Sequence, residues 1–437
     1  MPISRRLFLG GMAAAGAALA GCGVARPTTD LTLSTEPVTL RCAWWGSDNR
    51  HERTFKAIEA FQRRYPNITV RGEFNEFGGY WNRMATAFAA NDAPDLLQND
   101  ELYVRSYADR GALFDLGALS AQLDTSQYPE TALDTGRVQD VLYALPCGTG
   151  ARTIVTNVAV LDRLGMDLPD DLTWTWDDLR AFGEEINRRS GGEVWGIDRL
   201  SIDTHNIAVW ARQHGADLYD EIGNVILPPE LLAQWWGYLR ELTDSGASPP
   251  PSVQVESLTA TLSQLPIVNG SAVMTGMFSN EITGVQAAAP DTELRLLRFP
   301  RTRGSDRIGL FYKPSMYWSV SAASEHPAEA ALLLDFFSND TEATDILGTE
   351  RGAPPNSAVL DRLRPTLAPP ARQASDYEQA LQPLVGEPSP LTPPGASGSG
   401  SIAQRYYTNV IFGSSTPEQA AAGFIEELRL TVDTARG

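Results

Sequence analysis

Residues 38–74 read VTLRCAWWGSDNRHERTFKAIEAFQRRYPNITVRGEF, and this stretch decides the fold class. Val38 to Trp45 is an apolar run bounded by Pro37 and Gly46, the mark of a buried strand. In Arg53 to Tyr65 the apolar residues Phe55, Ala57, Ile58 and Phe61 recur at helical spacing, and Pro66 stops the helix. Ile68 to Phe74 alternates as a second strand. Outward from there, Tyr80 to Ala90 repeats the helical pattern, and Ala93-Pro94-Asp95-Leu96-Leu97 opens a third strand. Strands and helices alternating in this order predict an α/β fold.

Further along, Asp140 to Thr149 and Thr153 to Asn157 read as strands broken at Gly148 and Gly150, where the chain is expected to cross between two lobes. Leu172 to Arg188 after Pro169, Glu230 to Thr243, Pro327 to Ser338 and Pro417 to Thr431 read as helices. Trp195 to Arg199, Ala272 to Phe278, Leu294 to Pro300 and Tyr317 to Ser321 read as strands, and Ser248 to Ser252 as a Pro-rich loop. Glu387 to Ser401 is rich in Pro, Gly and Ser, but core-like residues resume at Ile402, so it is expected as a long loop inside a lobe. Trp174, Trp176, Trp235 and Trp236 sit at helix starts or on helix faces and are assigned to packing.

The first 21 residues read as an export signal. Arg5 and Arg6 form a charged start, Gly10 to Leu19 is an apolar run too short to span a bilayer, and Leu19-Ala20-Gly21-Cys22 offers the small residues a signal peptidase needs. Ser4-Arg5-Arg6-Leu7-Phe8-Leu9 resembles a twin-arginine signal, and Leu-Ala-Gly-Cys resembles the bacterial lipobox, in which the cysteine is acylated and becomes the first mature residue. By that resemblance Cys22 is the lipidation site and the protein works on the outer face of the cell membrane. Gly23 to Pro37 reads as a flexible tether.

Roughly 400 residues remain, enough for two lobes with a core each. The mature chain is strongly acidic: losing Arg5 and Arg6 takes the net charge from −19 to −21. Such a surface excludes nucleic acid as a partner and disfavours a polyanionic ligand. Cys42 and Cys147 lie in apolar runs and read as two buried free thiols, with a single disulfide as the alternative. His51, His205, His214 and His326 have no metal-ligand spacing, and no catalytic or phosphate-binding motif occurs, so no cofactor and no metal is implied.

Several stretches together resemble the extracellular solute-binding proteins of carbohydrate ABC importers, the family that includes maltose-binding protein. They are Trp44-Trp45-Gly46, Phe61 to Ile68, Asn91 to Leu97, Tyr143-Ala144-Leu145-Pro146, Asn157 near Leu164-Gly165, Thr175 to Leu179, Ala272-Val273-Met274 and Glu325 to Ala331, and their order spans nearly the whole mature chain. The resemblance implies a two-lobe periplasmic-binding-protein fold of type II, hinged, with the ligand in the cleft. It implies lobe 1 at 38–148 and 305–355, lobe 2 at 152–300 and 358–437, a monomer, permease subunits as partners and no enzymatic activity. Two departures stand out: Thr156-Asn157 replaces the usual Tyr-Asn, and Gly276-Met277-Phe278 replaces the usual Gly-Pro-Trp, which reshapes a sugar-stacking platform.

Sugars present apolar C–H faces to aromatic rings and hydroxyls to charged or amide groups, and ligands of open α/β sheets sit beyond the carboxyl ends of strands. Candidates after the first three strands are Trp45, Asp48 and Asn49, then Glu76, Phe77 and Tyr80, then Asn99, Asp100 and Tyr103. A helix cap is the alternative for Asp48 and Asn49, and a buried place for Tyr80. From the second lobe come His205, Asn206 and Trp210, with Phe278, Ser279 and Asn280, of which Phe278 is the expected stacking ring. Trp318 and Arg351 flank the later crossings, and a structural ion pair is an equal reading of Arg351. The expected function is capture of a sugar or oligosaccharide, amino sugars included. Rivals are a polyol, a glycerophosphodiester, or glycoside hydrolysis by a pair such as Asp48 and Asp100.

Overall fold

The computed structural model describes residues 31–200, 203–258 and 260–436. The expected leader, Cys22 and the first part of the tether lie outside the described residues. Two sheets organise the rest. The first contains β1 (Val38–Trp45), β2 (Ile68–Asn75), β3 (Leu96–Asn99), β6 (Leu145–Gly150) and β11 (Lys313–Val320), in the order β2-β1-β3-β11-β6; a short ribbon of β4 (Arg137–Val138) and β5 (Val141–Leu142) stands beside it. The second contains β7 (Arg152–Asn157), β8 (Trp195–Asp198), β9 (Ala272–Phe278) and β10 (Leu294–Leu297), in the order β10-β7-β9-β8. This is the expected two-lobe α/β architecture.

The opening stretch folds as its pattern dictates. β1 and β2 pair in parallel along their full length, Val38 opposite Ile68 and Trp45 opposite Asn75, with the helix Asp48–Arg64 as the crossover. Its buried residues Ala57, Ile58, Ala60 and Phe61 pack with Leu40, Trp44 and Phe336 in the first-lobe core. In the second lobe, Trp174, Trp176, Trp235 and Trp236 are all buried in one large core, which accounts for the four tryptophans assigned to packing.

Several element limits differ from expectation. The first helix begins at Asp48 because Ser47, in a polar run, caps it by accepting from the Arg50 amide. The helix expected at Leu172 begins at Trp176, where Thr175 and Asp178 form a reciprocal capping box. Pro251 starts a helix, Pro251–Ser257, inside the expected loop, and the strand expected to reach Pro300 ends at Leu297. Gly148 and Gly150 do not interrupt β6, which runs through both; the chain leaves the first sheet at Ala151. Cys42 and Cys147 are free, Cys42 fully buried and Cys147 half-buried.

The chain passes between the sheets at Gly150–Ala151, again before Lys313, and a third time near Ala353, whose carbonyl accepts from the Thr149 amide at 3.1 Å. In β6 and β11, Gly150 pairs with Lys313 and Thr149 with Pro314. Thr149 and Lys313 therefore point to opposite faces of this hinge ribbon.

Candidate functional site

The first-lobe wall begins where β1 ends. Gly46, at a φ of 153°, makes the turn into the helix, and a Cβ there would stand 2.3 Å from Arg50 Cδ. Arg50 folds back over this turn, donating to the Trp45 carbonyl at 3.1 Å and to Glu350 at 2.6 Å. Trp45 is the centre of an aromatic array: Phe77, Tyr80 and Trp81 lie 5.4, 5.1 and 5.5 Å from it between ring centroids. Tyr103 stacks on Trp81 at 3.8 Å. Phe77 is 44% exposed and Tyr103 half-buried, so this array has an open edge, and exposed Asp48, Asn49 and Glu76 flank it in the chain.

Across the cleft, a chain of opposite charges joins the two lobes. Lys313 of the hinge strand lies 4.0 Å from Glu101, Glu101 is bonded to His205 Nε2 at 2.8 Å, His205 Nδ1 meets Asp203, and Asp203 reaches Arg152 at 3.2 Å. Burial opposes charge on every member, but the neighbours win for most. Asp203 and Glu101 push His205 up to about 9, so the imidazole is a cation at neutral pH. Burial alone would raise Glu101; Lys313 and His205 overcome it and keep it ionised. Asp203 is likewise held low against its burial by His205 and Arg152. Asp100, next in sequence to Glu101, is raised by burial although Lys313 opposes the shift.

Phe278 closes the second-lobe side. The Arg152 guanidinium and the Lys313 ammonium lie 4.6 and 5.5 Å from its ring centre, and His205 meets its edge. Asn280 is half-exposed beside Gly150. A further lobe contact lies beyond Glu101: Arg105 donates to the Glu221 carbonyl at 2.6 Å, and Leu391, from the long loop of the second lobe, is seated in the core formed by Trp45, Tyr80 and Trp81.

The structure thus brings Asp100, His205 and Phe278 to where the lobes meet, leaves Asp48, Asn49, Glu76, Phe77, Tyr103 and Asn280 exposed or half-exposed, and buries Trp45 in the core with Tyr80 and Trp81. Other candidates are turned inward. Tyr80 is buried and donates to the Gln98 carbonyl at 2.6 Å. Asn99 bonds Ser319 and the Asp100 amide, and Asn206 bonds Arg152 and the Leu200 carbonyl. Trp210 packs on Trp235 and donates to Leu231, while Ser279 is buried between Ala151 and Glu378. Trp318 lies in the first-lobe core beneath Arg351, whose guanidinium binds Gln98 and Thr54 and is depressed to about 10 by burial. Asp100 caps the helix Glu101–Asp109, and both nitrogens of His205 are occupied by protein carboxylates.

Glu101, Arg152, Asp203, Lys313 and Trp81 were not among the candidates. One signal was available: Lys313 is one of two lysines in the chain, with Lys56, and it opens the strand Lys313–Val320. Among the described residues, no group of three or more His, Cys, Asp or Glu could hold a metal ion.

A cleft between hinged α/β lobes, lined at strand ends, is a place for a ligand, and the comparison with known families agrees. Residues 53–344 match the family described as bacterial extracellular solute-binding protein. The chain belongs to that family. A lactose-binding protein of Rhizobium radiobacter is 20% identical over 332 residues, 72% of this chain and 74% of that one. An extracellular solute-binding protein family 1 structure from Alicyclobacillus acidocaldarius is 26% identical with a TM-score of 0.72, covering 92% of this chain and all of that one. A periplasmic oligogalacturonide binding protein from Yersinia enterocolitica, in complex with saturated digalacturonic acid, is 24% identical with a TM-score of 0.78 over 92% of this chain and 100% of that one, a likeness of fold. Members of this solute-binding family bind rather than transform. No helix among the described residues is long and apolar enough to cross a membrane.

Proposed function

We propose that the protein is a lipid-tethered receptor of an ABC importer, which closes its lobes on a sugar or short oligosaccharide and presents it to the permease. The observation that carries this reading is the accessible aromatic edge of Phe77 and Tyr103 at the strand ends of the first lobe, backed by the buried rings of Trp45 and Trp81 and flanked by the carboxylates and amide of Asp48, Glu76 and Asn49. Rings beside hydroxyl acceptors are what a sugar needs. From the second lobe, Phe278 and Asn280 complete the contacts. The lactose and digalacturonate ligands of the relatives support the ligand class. The lobe limits proposed from the family resemblance are 38–148 with 305–355, and 152–300 with 358–437, of which the segment before Lys313 packs its Leu310 and Phe311 in the second-lobe core. The buried candidates act behind this surface, holding it in shape.

Anchoring rests on the Leu19-Ala20-Gly21-Cys22 signature and delivery on family membership. The leaderless protein should be screened by thermal shift against sugars, amino sugars, polyols and glycerophosphodiesters, because a ligand of the native state alone raises the melting temperature. A carbohydrate response supports the reading. A response to phosphodiesters only, or release of products from an oligosaccharide, would replace it.

A further inference from the structure

On the face of the hinge ribbon away from Lys313 lies a second cavity, of about 250 Å³, distinct from the interlobe cleft. Its walls come from both lobes and from the crossings themselves: Pro129 and Ala132 of the first lobe, Tyr312 and Thr149 of the hinge strands, Pro354 and Pro355 of the third crossing. Its floor is one face of the helix Pro369–Leu381, where Ser375, Glu378 and Gln379 recur at helical spacing.

Two buried polar groups line it. Glu378 is 6% exposed; its carboxylate oxygens accept from the Ser279 hydroxyl at 2.6 Å and the Thr149 hydroxyl at 2.8 Å. Ser375 is 2% exposed, and among the described residues its hydroxyl has no hydrogen-bond partner. No cation among the described residues pairs with Glu378. The other charged side chains lining the cavity are Asp361, which is exposed, and Arg364, already engaged with Gln379 and Asp376. A carboxylate taken out of water is normally matched by a positive charge, and here the missing charge has a space beside it, walled by an aromatic ring and prolines.

We propose that this cavity behind the hinge is a second ligand site, which takes a small organic cation of the alkylammonium class. Its charge pairs with the Glu378 carboxylate, and its carbon skeleton packs on Tyr312 and the proline walls. Because the walls belong to both lobes, an occupant reports on and biases the hinge angle, so this site and the sugar cleft are coupled. Burial raises Glu378 to about 7, so the free carboxyl is half protonated at neutrality and gains its full charge only with a partner.

The test is calorimetric titration of the mature chain, carrying Cys22→Ser, with tetramethylammonium chloride, using sodium chloride as the blank and tert-butanol as the neutral probe of similar shape. Tetramethylammonium is expected to bind and tert-butanol not. Affinity should rise about tenfold between pH 6 and pH 8, as a carboxyl titrating at about 7 gains its charge. Glu378→Gln, the uncharged isostere of the protonated carboxyl, should abolish binding, whereas Asp361→Asn, which removes the same charge from the rim, should change it less than about twofold. Absence of binding, equal binding of tert-butanol, or an affinity unmoved by Glu378→Gln would each overturn the proposal.

Discussion

Replacing His205 by Gln tests the charge chain that spans the lobes. This substitution isolates the imidazolium, because each carboxylate keeps another cation: Glu101 retains Lys313, and Asp203 retains Arg152. What is lost is the charge-assisted bond from His205 to Glu101 at 2.8 Å, the member of the chain that crosses the cleft. Such a bond contributes about 1.5–3 kcal/mol. The electrostatics of the pair have the same scale: against its burial, Asp203 in its own lobe and Glu101 opposite raise His205 from an ordinary value near 6.5 to about 9, roughly 3 kcal/mol shared between them. His205→Gln is therefore expected to lower the ratio of closed to open protein about ten- to a hundred-fold, seen as a larger radius of gyration in small-angle scattering. Because the folded-state pKa is raised, the wild-type contribution is complete below about pH 6.5 and fades as pH climbs through about 9, so wild type should expand over that window. Identical scattering curves for the two proteins at pH 7, or a wild-type curve unchanged up to pH 10, would refute this account of closure.

Phe77→Ala should weaken sugar binding about three- to tenfold by calorimetry, the scale of one ring contact, while moving the melting temperature less than about 2 °C, because the ring is already 44% exposed. Gly46→Ala sets a Cβ 2.3 Å from Arg50 Cδ at a φ of 153°, and should cost about 1–3 kcal/mol in urea denaturation. Native Cys42 and Cys147 should resist iodoacetamide at pH 7.5 and react after unfolding: burial raises both thiols, Cys147 to about 12, leaving fewer than about one in 10,000 ionised. Cys22→Ser in the full-length chain should move the protein from the membrane to the soluble fraction; retention in the membrane would remove the case for a lipid anchor.

Strands were the most legible elements. Val38–Trp45 and Ala272–Phe278 occupy their expected limits because buried apolar runs are punctuated sharply by Pro and Gly. The helix starts at Pro327 and Pro417 were read to the residue, but those at Asp48 and Trp176 were not, since Ser47 and Thr175 set them from polar runs without apolar periodicity. Within the candidate site, position after a strand picked out Asp48, Asn49, Glu76 and Phe77, which are exposed, together with Trp45, which is buried. It could not separate Phe77 from Tyr80, three residues apart, whose exposures are opposite. The charge chain was invisible for a physical reason: Glu101, His205 and Lys313 meet only in the assembled fold, and no local pattern marks such a pairing.

The position of β11 bears on how the chain is made. Lys313–Val320 is inserted between Leu96–Asn99 and Leu145–Gly150, both synthesised long before it. Until that strand emerges, β3 and β6 have no partner on the facing side, and the first sheet exists only as two fragments with open edges. The amino-terminal lobe thus cannot mature during translation ahead of the rest. Loop closure over such separations is slow, and the incomplete intermediate is vulnerable to misassociation.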